Sequence, residues 1–164
     1  MKKVLDIGCG NNPYIARKDE IVTTTDVRKD VNPVVVCDAI SLPFDTEYFD
    51  KVRASHLLEH FGRNETHKVL DGWVRVLKTG GELEIIVPDI KWAAERILRS
   101  HEYFGVIEEE DTVISVLYGD QTYPTNFHKM GFCGVNLQRE LTILKLKIKE
   151  ISHKGYELRV VAIK

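Results

Sequence analysis

Residues 4–13 read Val4-Leu5-Asp6-Ile7-Gly8-Cys9-Gly10-Asn11-Asn12-Pro13, and this stretch decides the fold class. A short apolar run is broken at once by glycine, asparagine and proline, so a buried strand meets a tight turn. Gly8-x-Gly10 at the end of a first strand is shared by many nucleotide-binding folds. The dinucleotide version needs a third glycine at position 13, where the pyrophosphate approaches the helix. Position 13 is Pro13, with a ring and no N–H. That disfavours a pyrophosphate, and no Gly-x-x-x-x-Gly-Lys-Ser/Thr loop for a triphosphate is present.

Downstream the pattern repeats. Ile21-Val22-Thr23-Thr24-Thr25-Asp26 is β-branched throughout and predicts a second strand. Residues 33–38, Pro-Val-Val-Val-Cys-Asp, predict a third, and 49–55 a more charged fourth. Between 65 and 78, Val69, Leu70, Trp73, Val76 and Leu77 share one helical stripe closed by Gly80-Gly81. Leu83–Val87 follows as a fifth strand. Strands alternating with helices or short crossovers imply a mostly parallel sheet covered on both faces.

The end of the chain departs from that rhythm. Leu144, Leu146 and Ile148 alternate with Lys145, Lys147 and Lys149, whereas residues 158–163 are nearly all apolar. Only residues 152–155 separate the two runs, and a parallel crossover needs about a dozen residues or more. The runs therefore pair as an antiparallel hairpin, with the lysine-bearing strand at the sheet edge and the last strand inside. Residues 89–118 read as largely helical with a break at Gly105, residues 119–134 as a long loop, and about 136–145 as a further helix. Loops of that length in compact domains are usually functional. The 164 residues fit one domain, 1–164, in which 100–134 is the expected lid on the substrate side.

Three acids end successive strands. Asp26 stands where a carboxylate accepts ribose hydroxyl protons, and Asp38 where one takes an adenine amino group. Asp6 is placed to organise the glycine turn and to receive an ammonium group, directly or through water. A phosphate-free adenosine ligand with a sulfonium and an ammonium fits this set.

With these residues in view, the chain resembles the class I (Rossmann-like) S-adenosylmethionine-dependent methyltransferases, in a small type-11-like form. Residues 4–13 resemble the family's first motif, and Asp26 and Asp38 match its ribose and adenine acids. Phe49–Val52 through Ser55-His56-Leu57-Leu58-Glu59-His60 is similar to its fourth strand and following loop. Leu77–Leu83 resembles the passage into strand five, with Thr79 where most members carry proline. The resemblance implies a three-layer sandwich around a seven-stranded sheet with an antiparallel last strand. It also implies S-adenosylmethionine as cofactor, held by Asp6, Gly8, Cys9, Gly10, Asn12, Asp26, Val27, Asp38, Ala39 and Ser55. The sheet begins near residue 3, so the helices that precede strand one in relatives are expected to be absent, with residues 100–134 or a second subunit covering the cofactor in a homodimer.

Methyl transfer from a sulfonium asks mainly for proximity, and for a base where the acceptor must lose a proton. His56, after strand four, and His128, in the long loop, are the candidate catalytic residues. Glu59-His60 resembles a pair that binds a divalent cation in some quinone-biosynthetic relatives, but Ser55-His56 stands where the upstream acid would be, so no metal site is expected. Residues 117–121, 126–129 and 131–132 are similar to a segment of small methyltransferases associated with saccharide and cell-surface biosynthesis. A small-molecule or saccharide acceptor, methylated at O or N, is therefore expected. The formal charge of -2 suggests no nucleic-acid partner. Two other readings stand beside this one: a catalytically silent cofactor-binding module within a complex, and a nicotinamide-dependent oxidoreductase, which Pro13 opposes. Cys9, Cys37 and Cys133 are an odd number without metal-ligand spacing. Reduced thiols, no apolar leader and no membrane-length run make the cytoplasm the expected location.

Overall fold

The computed structural model describes residues 1–99 and 107–164. Seven strands form one sheet: β1 (Lys2–Ile7), β2 (Glu20–Asp26), β3 (Val35–Val36), β4 (Phe49–Ser55), β5 (Leu77–Pro88), β6 (Lys147–Lys154) and β7 (Glu157–Ile163). Their order is β3-β2-β1-β4-β5-β7-β6. The first five are parallel, and β7 is antiparallel to both β5 and β6. The last strand is thus inserted between the parallel set and a lysine-bearing edge, as the hairpin argument requires.

Among the described residues the α-helices are α1 (Arg63–Val76), α2 (Ile90–Arg99), α3 (Ile107–Tyr118) and α4 (Gly134–Ile143). The expected break at Gly105 lies outside the described residues. In α1 the buried positions are Thr66, Val69, Leu70, Trp73 and Val76, one stripe at helical period. Its first turn is held by Glu65, whose carboxylate accepts the Gly62 N–H at 2.9 Å. The helix runs directly into β5 at Leu77, before the Gly80-Gly81 pair. The third strand is shorter than its apolar run, with only Val35 and Val36 pairing to β2. Pro33 has no N–H for the ladder, and the Val34 N–H goes to the Thr24 hydroxyl instead.

Strand alternation gives the sheet two unlike faces. Leu5, Val52, Leu83 and Ala162 lie in one register row, and Ile7, Ala54, Ile85 and Val160 in the next. These side chains form the core with Trp73 and Leu70 of α1 and Leu137 and Leu141 of α4. Residues 37–48 close that core without a helix. The Trp73 indole donates to the Ala39 carbonyl at 3.0 Å, and Arg75 donates to the carbonyls of Leu42 and Phe44. The opposite face carries charge: Arg53 pairs with Asp6, and Lys51 and Arg159 both pair with Glu84. Among the described residues, no helix is long and apolar enough to cross a membrane.

The segment after α3 is tied to the carboxyl ends of β4 and β5. Lys129 and Met130 donate backbone N–H groups to the Glu59 carbonyl at 2.8 and 3.2 Å. Ile90 donates to Phe132 at 2.9 Å, beside a bridge between Asp89 and Phe132. Residues 129–132, within the segment 100–134 expected to act as a lid, thus meet those strand ends, and residues 100–106 lie outside the described residues.

Candidate functional site

The glycine turn after β1 exists because two residues adopt positive φ, 63° at Gly8 and 53° at Gly10. A Cβ on Gly8 would also stand 2.8 Å from the Leu57 side chain, so only glycine serves there. Beneath the turn, Asp6 is fully buried. One of its oxygens accepts from Arg53 Nη1 at 2.8 Å and the other from the Tyr14 N–H at 2.7 Å. Asp6 thus fixes the course of the turn from below. Asp26, at the end of β2, accepts the Gly10 N–H at 3.0 Å on one oxygen and the Arg28 N–H at 2.9 Å on the other. Asp38 is exposed, and its carboxylate accepts the Ile40 N–H at 2.9 Å.

These elements border a cleft of about 1420 Å³ at the carboxyl ends of the parallel strands. Gly8, Cys9, Gly10, Asn12, Asp26, Val27, Asp38, Ala39 and Ser55 all line it, as do His56 and His128. Asp6 does not. Pockets for drug-sized ligands measure ~300–1,000 Å³, so this cleft is larger than one such pocket. Burial, and then the nearby Asp26 and Asp6, push the Cys9 thiol above its ordinary value, which leaves it a neutral wall.

His56 leaves β4 with φ 51°, turning the chain sharply toward the cleft. Its Nε2 lies 3.0 Å from a Glu157 carboxylate oxygen, and its Nδ1 lies 3.6 Å from Glu59 Oε1. The bend continues through a short 3-10 turn, Leu58–His60, that buries the Glu59 side chain. Burial pushes the Glu59 carboxyl up to about 8. Among the described residues neither of its oxygens has a hydrogen-bond partner. His128 rests its Nδ1 on the Val116 carbonyl at 2.9 Å, and its ring stands 5.3 Å from that of His60. Burial lowers both of these imidazoles, favouring the neutral form.

Sequence reasoning missed Arg28, Arg53 and Glu157, and it set Glu59 aside as a metal ligand without expecting its burial. Arg53 had a legible signal, since the alternation of charges along β4 marks a polar sheet face. Arg28 also reaches across the cleft, its guanidinium 4.9 Å from the Tyr123 ring. Tyr123, Phe127 and Tyr156 line the cleft and are each more than a third exposed.

Residues 5–85 match a family model described as a methyltransferase domain. The chain is 31% identical over 114 residues to a probable tRNA methyltransferase 9B of Mus musculus, covering 63% of this chain and 25% of that protein. It is 31% identical over 103 residues to a tRNA (carboxymethyluridine(34)-5-O)-methyltransferase of Arabidopsis thaliana, covering 57% of this chain and 24% of that protein. The chain thus spans about a quarter of the length of these curated relatives. A SAM-dependent methyltransferase structure from Methanosarcina mazei superposes with a TM-score of 0.72 at 20% identity, covering 99% of this chain and 92% of that one. These relatives overturn the expected acceptor. A small-molecule or saccharide acceptor with no nucleic-acid partner does not agree with relatives named for tRNA methylation. The formal charge of -2 is a sum over the whole chain and does not describe the charge of one local cleft.

Proposed function

The chain belongs to the class I S-adenosylmethionine-dependent methyltransferases, and from that premise we propose that it methylates a nucleoside within an RNA. The observation that carries the acceptor reading is the cleft itself. Its wall carries the rings of Tyr123, Phe127 and Tyr156, and the Arg28 guanidinium lies 4.9 Å from the Tyr123 ring. Flat aromatic and guanidinium surfaces are what unstacked bases pack on, at ~1–3 kcal/mol each. The tRNA methyltransferases among its relatives support the same class of acceptor.

S-adenosylmethionine supplies, when bound, a methyl group already activated on a sulfonium. The residues that would hold it fit its chemistry. One Asp26 oxygen accepts from the Gly10 N–H and the other from the Arg28 N–H, and each keeps a further lone pair for a ribose hydroxyl. Asp38 offers its exposed carboxylate to the adenine amino group, and the glycine turn admits backbone close to the ligand.

On the acceptor side, His56 is the base in this reading. With its Nε2 proton donated to Glu157, His56 keeps on Nδ1, 3.6 Å from Glu59 Oε1, the lone pair that takes the proton from the acceptor. His128 is committed through Nδ1 to Val116 and is the lesser candidate. Residues 107–134 serve as the lid, excluding water and orienting the acceptor, effects worth up to ~7–11 kcal/mol.

Two titrations test the proposal. Calorimetry should show S-adenosylhomocysteine binding and no NAD binding. Fluorescence anisotropy should then show tRNA binding that survives saturation with S-adenosylhomocysteine. Failure to bind tRNA even at low salt would remove the acceptor assignment, while failure to bind S-adenosylhomocysteine would remove the donor site.

A further inference from the structure

Glu59, His60 and His128 converge at one wall of the cleft. One ligand-type atom from each lies within 4.8 Å of the other two. Glu59 is 1% exposed; His56 Nδ1 stands 3.6 Å from its Oε1, beyond hydrogen-bond reach, and neither carboxylate oxygen has a hydrogen-bond partner among the described residues. An unpartnered buried carboxylate is costly, and native structures retain one where something else satisfies it.

The two histidines are already oriented. His60 rests Nδ1 on the Phe127 carbonyl at 2.9 Å, and His128 rests Nδ1 on the Val116 carbonyl at 2.9 Å. A carbonyl only accepts, so each Nδ1 carries the proton and each Nε2 keeps its lone pair. That arrangement, with the far nitrogen donating to backbone, is how metal-ligating histidines are fixed in tautomer and direction. The three residues are also locked in place across sequence. The Glu59 carbonyl accepts from Lys129 and Met130 at 2.8 and 3.2 Å, which brings the His128 segment down onto the Leu58–His60 turn.

We propose that Glu59, His60 and His128 form a divalent transition-metal site on the wall of the cleft. Two imidazole nitrogens and one carboxylate suit Zn²⁺, Co²⁺, Mn²⁺ or Fe²⁺, and not the all-oxygen shells of calcium and magnesium. Ligand bonds of ~2.0–2.2 Å in a tetrahedral site set ligand atoms roughly 3.3 Å apart. The three side chains therefore close by an ångström or so around the ion, within the reach of small χ adjustments. All three line the cleft, so the remaining coordination positions open toward it. The site stands on these residues alone and does not depend on the identity of the methyl acceptor.

The test uses the full chain, stripped with a chelator and titrated with Co²⁺ by visible absorption and with Zn²⁺ by calorimetry. One ion per chain should bind, with cobalt d–d bands and no thiolate-to-metal band from Cys9, Cys37 or Cys133. Glu59→Gln, His60→Ala and His128→Ala should each weaken binding by roughly 100-fold or more, while His67→Ala leaves it unchanged. Circular dichroism reports whether each variant folds, and any one folded variant of the three decides the matter. No binding up to about 1 mM metal ion, a thiolate band, or unchanged affinity in a folded ligand variant would overturn the site.

Discussion

The Asp26 carboxylate and the Gly10 backbone N–H are joined by a hydrogen bond of 3.0 Å, so the end of β2 and the turn after β1 move as one unit. Removing that carboxylate takes away the proposed ribose contacts and slackens the glycine turn together. Asp26→Ala should weaken S-adenosylhomocysteine binding by ~1.5–3 kcal/mol, about 10- to 150-fold in Kd. Calorimetry on the folded variant checks this, and an unchanged Kd would take Asp26 out of the site.

His56 should matter to turnover and not to donor binding. Its ring is oriented by Glu157 at 3.0 Å, on the side of the cleft assigned to the acceptor. His56→Ala should lower kcat by ~10²-fold or more with S-adenosylhomocysteine affinity nearly unchanged. Glu157→Gln should give a smaller loss in the same direction. Normal turnover in His56→Ala would remove it as the base and return attention to His128.

The charged face of the sheet predicts a pH dependence of stability. Burial alone would raise the Glu84 carboxyl, but hydrogen bonds from Lys51 and Arg159 outweigh burial and hold it below its ordinary value. A carboxylate depressed in the folded state adds stability that is complete above its unfolded pKa, ~4.3. That stability is lost as pH falls through the folded value. Glu84→Gln should therefore destabilise by about 1–2 kcal/mol at pH 7, Arg159 being partly solvated. The gap from wild type should shrink below about pH 4. Urea melts at both ends of that range decide it, and a constant gap would contradict the linkage.

Hydrogen exchange distinguishes the two hairpin strands. β7 is paired on both sides and β6 on one. Amides of 158–163 should exchange more slowly than those of 147–154. The reverse order would contradict the inserted last strand.

Strand and helix periods made most of this architecture legible. The glycine turn, β2, β4, the α1 stripe and the antiparallel hairpin all follow from local patterns of apolar residues and turn formers. So did most of the cleft wall, because Asp26, Asp38 and Ser55 sit at or just after strand ends on the same edge of the sheet. Other features depend on partners far along the chain. Asp6 is committed to Arg53, 47 positions away, and no spacing rule connects them. Glu59 stands between Leu58 and His60, where a glutamate ordinarily reads as solvated. Its burial follows from the positive φ at His56 and from the 119–134 loop closing over it. The third strand shrank because Pro33 and an edge position removed ladder bonds that an apolar run implies.

The most direct test of the central claim follows the methyl group itself. The chain is incubated with methyl-labelled S-adenosylmethionine and bulk tRNA, and the RNA is then digested to nucleosides for mass spectrometry. The account predicts label in one nucleoside, at a rate reduced by Asp26→Ala at sub-saturating donor. Label absent from every nucleoside, although the chain binds both S-adenosylhomocysteine and tRNA, would contradict it.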